Sequence, residues 1–197
     1  DVFSIPAIMI TQAVGLKIKE AMKTSAVQIQ FNSVNKIEKP EVIDTLTDFS
    51  SKGPRSMDGY LKPEISSPGS DIISAAMGGG SRVVKMSGTS MAAPNAAGVV
   101  ALIKQSMKQR GLNLTALELK NVAMGTAKTI SEKGVRYAVT RQGSGRIQAD
   151  VAAEAQVVAN EPSISFGEIS VESKKSVRSK IEIKNLTKTD LNLSVVF

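Results

Sequence analysis

Ser90 stands in the run Gly88-Thr89-Ser90-Met91-Ala92-Ala93-Pro94-Asn95-Ala96-Ala97-Gly98, between a short β-type stretch (82–86) and the most apolar segment of the chain. A nucleophilic serine needs an exposed hydroxyl on a rigid mount, close to donors for a developing oxyanion. The N-terminus of a buried helix meets both needs, because its first N–H groups have no intrahelical partner and the dipole favours negative charge there. Gly88 permits a tight turn and the close approach of a substrate backbone. Pro94 is acceptable on the expectation that it falls in the first turn, where a missing N–H costs nothing. The same position also suits a serine that only caps the helix.

The rest of the composition limits the chemistry. The 197 residues contain no His and no Cys. A Ser-His-Asp or Cys-His machine is therefore incomplete within them, and disulfides and Cys-ligated metals are excluded. Any metal site would be all-oxygen, which favours Ca²⁺ or Mg²⁺. Asp44, Asp48, Asp58 and Asp71 precede the serine without the alternating spacing of a calcium loop, and read as loop or cap residues. Ser33-x-x-Lys36 matches a fragment of a Ser/Lys hydrolase signature whose remainder is absent. The charge of +7 is spread along the chain and only 4% of residues are aromatic, which argues against nucleic-acid binding. No apolar run reaches the length of a membrane span.

The elements that must position Ser90 follow from periodicity. Residues 5–10 and 27–31 read as strands around a helix from Gln12 to Met22. Residues 48–69 are rich in Ser, Gly and Pro, the composition of a long functional loop. Ile72-Ile73 and Arg82–Met86 read as strands joined through a flexible Gly78-Gly79-Gly80 turn. A helix follows from Met91 to about Arg110, apolar all round in its first half and so expected to be buried at a domain centre. Thr115 and Glu118 form a capping box that opens a second helix. Gly143-Ser144-Gly145 makes a turn before a third helix, Ala149 to Val158. Beyond Pro162 the pattern changes to period two, with strands expected at Ile164–Phe166, Ile169–Val171, Lys180–Lys184 and Leu191–Val195.

The run Gly88-Thr89-Ser90-Met91-Ala92-Ala93-Pro94 resembles the nucleophile signature of the subtilisin-like serine proteases (subtilases). It differs from the α/β-hydrolase elbow, which needs Gly where Ala92 stands. The resemblance extends to Asp48–Pro54, to Leu61–Gly69, to Leu117–Ala127 and to Gln142–Ile147, so that it covers about residues 44–158. Two positions depart from the pattern. Ser67-Pro68-Gly69 stands where family members usually carry Ala-Pro-Gly, and Asn95 stands where many carry His. That His is not the family's catalytic base.

The resemblance implies an α/β fold, with residues 44–160 forming the nucleophile half of a parallel sheet flanked by helices. Residues 1–35 resemble the end of a protease-associated insert domain. Residues 161–197 resemble the start of a fibronectin-III-like β-sandwich. It implies a serine endopeptidase in which Ser90 is the nucleophile and its backbone N–H enters the oxyanion hole, with Gly88, Thr89, Met91, Ala92 and Pro94 as the supporting motif. The Asp, His and oxyanion Asn of the family precede the insert. They are expected upstream of Asp1, in a part of the same polypeptide that acts as partner to this one; the 197 residues alone are expected to be inactive. No cofactor is implied, although structural Ca²⁺ is compatible with a whole enzyme. Protein or peptide substrates and an exported bacterial location, secreted or at the cell surface, complete the expectation. The competing reading is a non-catalytic subtilase-like scaffold serving as a cell-surface binding module.

Overall fold

The computed structural model describes residues 10–29, 40–169 and 176–194. The chain divides into two compact units, Asp1–Pro40 and Glu41–Phe197. In the first, helix α1 spans Gln12–Ala21, opened by Thr11, whose hydroxyl accepts from the Val14 N–H at 3.4 Å. Residues 27–29 are not in a strand, and the strand expected at 5–10, the end of that expected at 27–31, and Ser33 and Lys36 lie outside the described residues.

The second unit is organised around α2, Thr89–Gln109. Before it, β1 (Ile72–Ala75) and β2 (Val83–Met86) pair antiparallel, Ile72 opposite Met86. The turn between them uses Gly78 and Gly80 at φ 65° and 60°, a backbone region that L-residues with a Cβ avoid. After α2 come α3 (Ala116–Gly125), the hairpin β3 (Ser131–Glu132) and β4 (Val135–Arg136), and α4 (Val139–Gln142). They are followed by α5 (Ala149–Ala153), β5 (Val157–Ala159) and β6 (Ile183–Asn185), the last two paired antiparallel. The named strand pairs are all antiparallel; a parallel contact appears as a single bridge, Ser66 to Arg146.

Four expectations need correction. The first half of α2 is not buried all round: Ala93, Ala97, Ala101 and Leu102 are exposed, and burial begins with Ile103 and Met107. The core gathers around the C-terminal half, with Ala96, Val99 and Val100 only partly buried against it, and the hairpin before α2 is itself bare, with Val83 70% exposed. The third helix ends at Ala153 rather than Val158, because Val157 and Val158 are β-branched and pair with β6. Helix α2 starts at Thr89, so Pro94 lies in its second turn rather than its first. Of the late strands, Ile183–Asn185 forms, whereas 164–166 and 191–194 have no strand among the described residues.

One core holds the second unit together. Ile103 and Met107 of α2 meet Leu119, Val122 and Ala123 of α3, Ala152 of α5, Val158 of β5, and Ile147 and Leu186. Beside it, the Gln142–Ile147 turn threads between two other segments. Ser66 N–H donates to Gly145 O at 2.8 Å, Ile147 N–H to Ser66 O at 2.9 Å, and Arg146 exchanges bonds of 2.8 and 2.7 Å with Lys128. Buried Gln142 accepts from Ile130 N–H at 2.8 Å and donates to Tyr137 O, so it is satisfied at both ends. Gly145 sits at φ 123°, and a Cβ there would strike the Lys128 carbonyl. Gly145→Ala is expected to destabilise by about 2–4 kcal/mol, read as a lower denaturant midpoint at unchanged m-value.

The capping box forms as expected. Thr115 Oγ1 accepts from Glu118 N–H at 3.2 Å, and Glu118 Oε2 accepts from Thr115 N–H at 2.8 Å. Glu118 also pairs with Lys184 of the β6 segment at 2.6 Å. The Lys184 ammonium, then the Thr115 amide, hold the Glu118 carboxyl down at about 2 against an ordinary 4.5. Since the folded value is depressed, this stabilisation is complete above 4.5 and fades as pH falls towards 2. Glu118→Gln is expected to cost about 1–2 kcal/mol at neutral pH, solvent screening included, and to flatten stability against pH across that window. Chemical denaturation at a series of pH values measures both.

Candidate active site

The site is built on the entry into α2. Gly88 is the residue that caps the helix, with φ 156° and ψ 164°, a conformation essentially reserved for glycine. No side chain caps the N-terminus. Ser90 therefore does not serve as the cap, and the capping reading of this serine does not hold. Its side chain is exposed, and among the described residues no hydrogen bond engages its hydroxyl. The N–H groups of Thr89 and Ser90 are likewise without partners there, whereas Met91 and Ala92 both donate to Gly88 O, at 3.0 and 3.3 Å. The result is a free hydroxyl beside two unpaired amide donors at the positive end of a long helix.

Gly88 is held from outside the helix. Its N–H donates to Gly69 O at 2.8 Å, and Ser87 Oγ accepts from Asp71 N–H at 2.8 Å. Gly69 lies so close that a Cβ would come within 2.7 Å of Gly88 O and 2.9 Å of the Ala92 methyl. One residue pair completes this contact: Ser67 Oγ donates to Asn95 Oδ1 at 2.8 Å. A cleft of about 670 Å³ runs along this seam, lined by residues 42–47, 49–51, 63 and 65–70, by Gly88, Thr89, Ala92, Ala93 and Ala96 at the start of α2, and by Arg146. Ser90 and Met91 are not among its lining residues. Pro94 is exposed on α2. The structure thus gathers Gly88, Thr89 and Ala92 with the Ser67–Gly69 segment and leaves Ser90 on open surface.

The acids that precede the serine are placed separately. Asp44 pairs with Lys128 at 2.9 Å and Arg146 at 2.6 Å, and the Lys128 ammonium foremost, with Arg146, holds its carboxyl below the usual range. Asp58 pairs with Arg55, and Asp71 with Lys85. Among the described residues no group of three or more potential ligating side chains gathers. Ser67 and Asn95 are the residues sequence reasoning missed as partners. Their departure from the family pattern was the available signal, but nothing in the sequence paired them.

The sequence profile of the subtilase family matches residues 17–148. The chain belongs to the subtilase family. The match begins earlier than the motif-based range of 44–158. Among similar subtilases, the C5a peptidase of Streptococcus pyogenes serotype M6 is 29% identical over 195 residues, 96% of this chain and 15% of that protein. The minor extracellular protease Vpr of Bacillus subtilis is 32% identical over 174 residues, 83% of this chain and 20% of its own length. The PII-type proteinase of Lactococcus lactis subsp. cremoris is 34% identical over 168 residues, 78% of this chain and 8% of its own. The chain thus spans a small part of each. No helix among the described residues is long and apolar enough to cross a membrane.

Gly88→Ala tests how far this subtilase relies on the helix entry. The substitution places a Cβ in a glycine-only conformation and is expected to cost about 1–3 kcal/mol. Thermal unfolding of Gly88→Ala against wild type measures it.

Proposed function

We propose that the polypeptide containing this chain is a serine endopeptidase with Ser90 as its nucleophile. The observation that supports this most is the unengaged Ser90 hydroxyl beside the unpaired Thr89 and Ser90 amides, at a helix entry that glycine rather than serine caps. Ser90 Oγ attacks the substrate carbonyl carbon while an upstream His takes its proton. The oxyanion is held by the Ser90 N–H and an upstream Asn side chain. The C–N bond then breaks, the His returns the proton to the leaving amine, and water hydrolyses the acyl-enzyme. Loss of one oxyanion donor would lower the rate by about 10²–10³.

The Asp, His and Asn are assigned to a part of the polypeptide upstream of Asp1. That part is also the proposed cover for the bare half of α2 and for Ile73, Val83 and Met86 of the hairpin, an apolar surface larger than isolated exposed side chains explain. In this reading residues 44–160 belong to a catalytic α/β domain whose parallel sheet the upstream part completes, residues 1–35 close a protease-associated insert, and residues 161–197 begin a β-sandwich. Peptide or protein substrates and an exported, secreted or cell-surface bacterial location follow from likeness to relatives named as an extracellular protease, a proteinase and a peptidase.

A fluorophosphonate probe tests the nucleophile. The full polypeptide is expected to take the label, Ser90→Ala to lose it together with about 10⁶ in kcat, and the 197-residue chain alone to remain unlabelled. Labelling that persists in Ser90→Ala, or a folded full polypeptide that takes no label, overturns the assignment.

A further inference from the structure

Pro94 creates a weakness at the residue that matters most. In the second turn of α2 its nitrogen carries no hydrogen, so it offers nothing to the Ser90 carbonyl four residues back. The turn bearing Ser90 therefore lacks one rung of the helical ladder, and its geometry must be fixed from elsewhere. The Ser66–Gly69 segment supplies that fixation. It meets α2 on either side of Ser90: Gly69 O accepts from Gly88 N–H at 2.8 Å, and Ser67 Oγ donates to Asn95 Oδ1 at 2.8 Å across 28 positions of sequence. Gly69 packs without a side chain against Gly88 and Ala92 between these two bonds. The segment is itself anchored, because Ser66 bonds Gly145 O and Ile147 N–H through its backbone and Gln142 O through its hydroxyl at 3.0 Å.

We propose that Ser67 and Asn95 form a positioning pair for Ser90, joining the second turn of α2 to the Ser66–Gly69 segment where Pro94 has removed the helix's own hydrogen bond. Neither residue touches substrate; both act through the backbone of the Met91–Pro94 turn. The backbone bond at Gly88 fixes where the helix begins, and the side-chain bond at Asn95 fixes its rotation. A serine turned by even a small angle loses the alignment of its hydroxyl with the adjacent amide donors. The two positions are also those at which the chain departs from the residues common in the subtilase pattern. Ala at position 67 has no hydroxyl to donate, so the Ser67–Asn95 bond is a feature of this chain's own residues. The proposal rests on Ser90 being the nucleophile.

The test uses the full polypeptide with Ser67→Ala, Asn95→Ala, the double variant and Ser67→Thr. The readouts are the labelling rate of a fluorophosphonate–rhodamine probe, kcat and KM on a fluorogenic peptide, and the thermal midpoint. Each single alanine variant is expected to slow labelling and kcat about three- to tenfold, the range one hydrogen bond commands, with KM within about twofold. The double variant is expected to be no slower than the slower single, because both remove the same bond. Ser67→Thr keeps the hydroxyl and is expected to retain the wild-type rate. Single variants that label at the wild-type rate overturn the pair. So do effects that multiply in the double, losses that appear in KM alone, rates that fall only as far as the unfolded fraction rises, or a Ser67→Thr variant as slow as Ser67→Ala. Absence of label on wild-type Ser90 removes the nucleophile assignment and the pair with it, whereas labelled wild type with unimpaired variants removes the pair alone.

Discussion

Burial of Ile103 and Met107 is the contact on which the second unit depends. Both lie in the C-terminal half of α2, and around them converge α3, α5, β5, Ile147 and Leu186. Removing a side chain of this kind from a packed core costs about 2–5 kcal/mol, a large share of a domain's net stability. Polar contacts reinforce the same end. The Arg110 guanidinium donates to the carbonyls of Ala153 and Ala155 at 3.3 and 2.9 Å and to that of Leu186 at 3.5 Å, and Ser106 Oγ donates to Ala153 O at 2.8 Å. A cation at a helix C-terminus also complements the dipole. These bonds join α2 to residues far along the chain, including the β6 segment.

A helix clamped at one end carries its other end outward as a rigid arm. The 21 residues of α2 place Ser90 about 25 Å from Met107, at 1.5 Å of rise per residue. The clamped end gives stability and the free end gives exposure, so the two demands on a mount for the proposed nucleophile fall on different halves of one helix. The cost is that the free half has little core of its own. Its position depends on the Ser66–Gly69 segment, and that segment depends on the Gln142–Ile147 turn. Three glycines, Gly69, Gly143 and Gly145, are required by close approach along this path, where a methyl group would meet backbone.

Local rules made much of this legible. The Thr115–Glu118 capping box was readable because its geometry lies within four residues, and the start of α3 follows from it. The long helix after Ser90 and the hairpin before it were readable from apolar periodicity and the Gly78–Gly80 turn. What failed were statements about surroundings. Apolar residues on every face of the first half of α2 imply burial, but burial needs partners, and none of the described elements covers Leu102, which stays 54% exposed. Val157 and Val158 look helical beside an alanine-rich stretch; only their pairing with β6, some 25 residues on, makes them a strand. The Ser67–Asn95 bond spans 28 positions and has no periodic signature at all. Ser90 itself was readable as a candidate, yet its freedom from capping duty became clear only when Gly88 took that role.

Amide hydrogen exchange along α2 tests this division of the helix most directly, comparing the 197-residue chain with the full polypeptide. Residues 104–109 should exchange slowly in both, since their packing lies within this chain. Residues 91–102 should exchange quickly in the 197-residue chain and slowly in the full polypeptide, where the proposed upstream part would cover them. Equal slow exchange of residues 91–102 in the isolated chain would contradict the account, because the bare half of the helix would then need no cover.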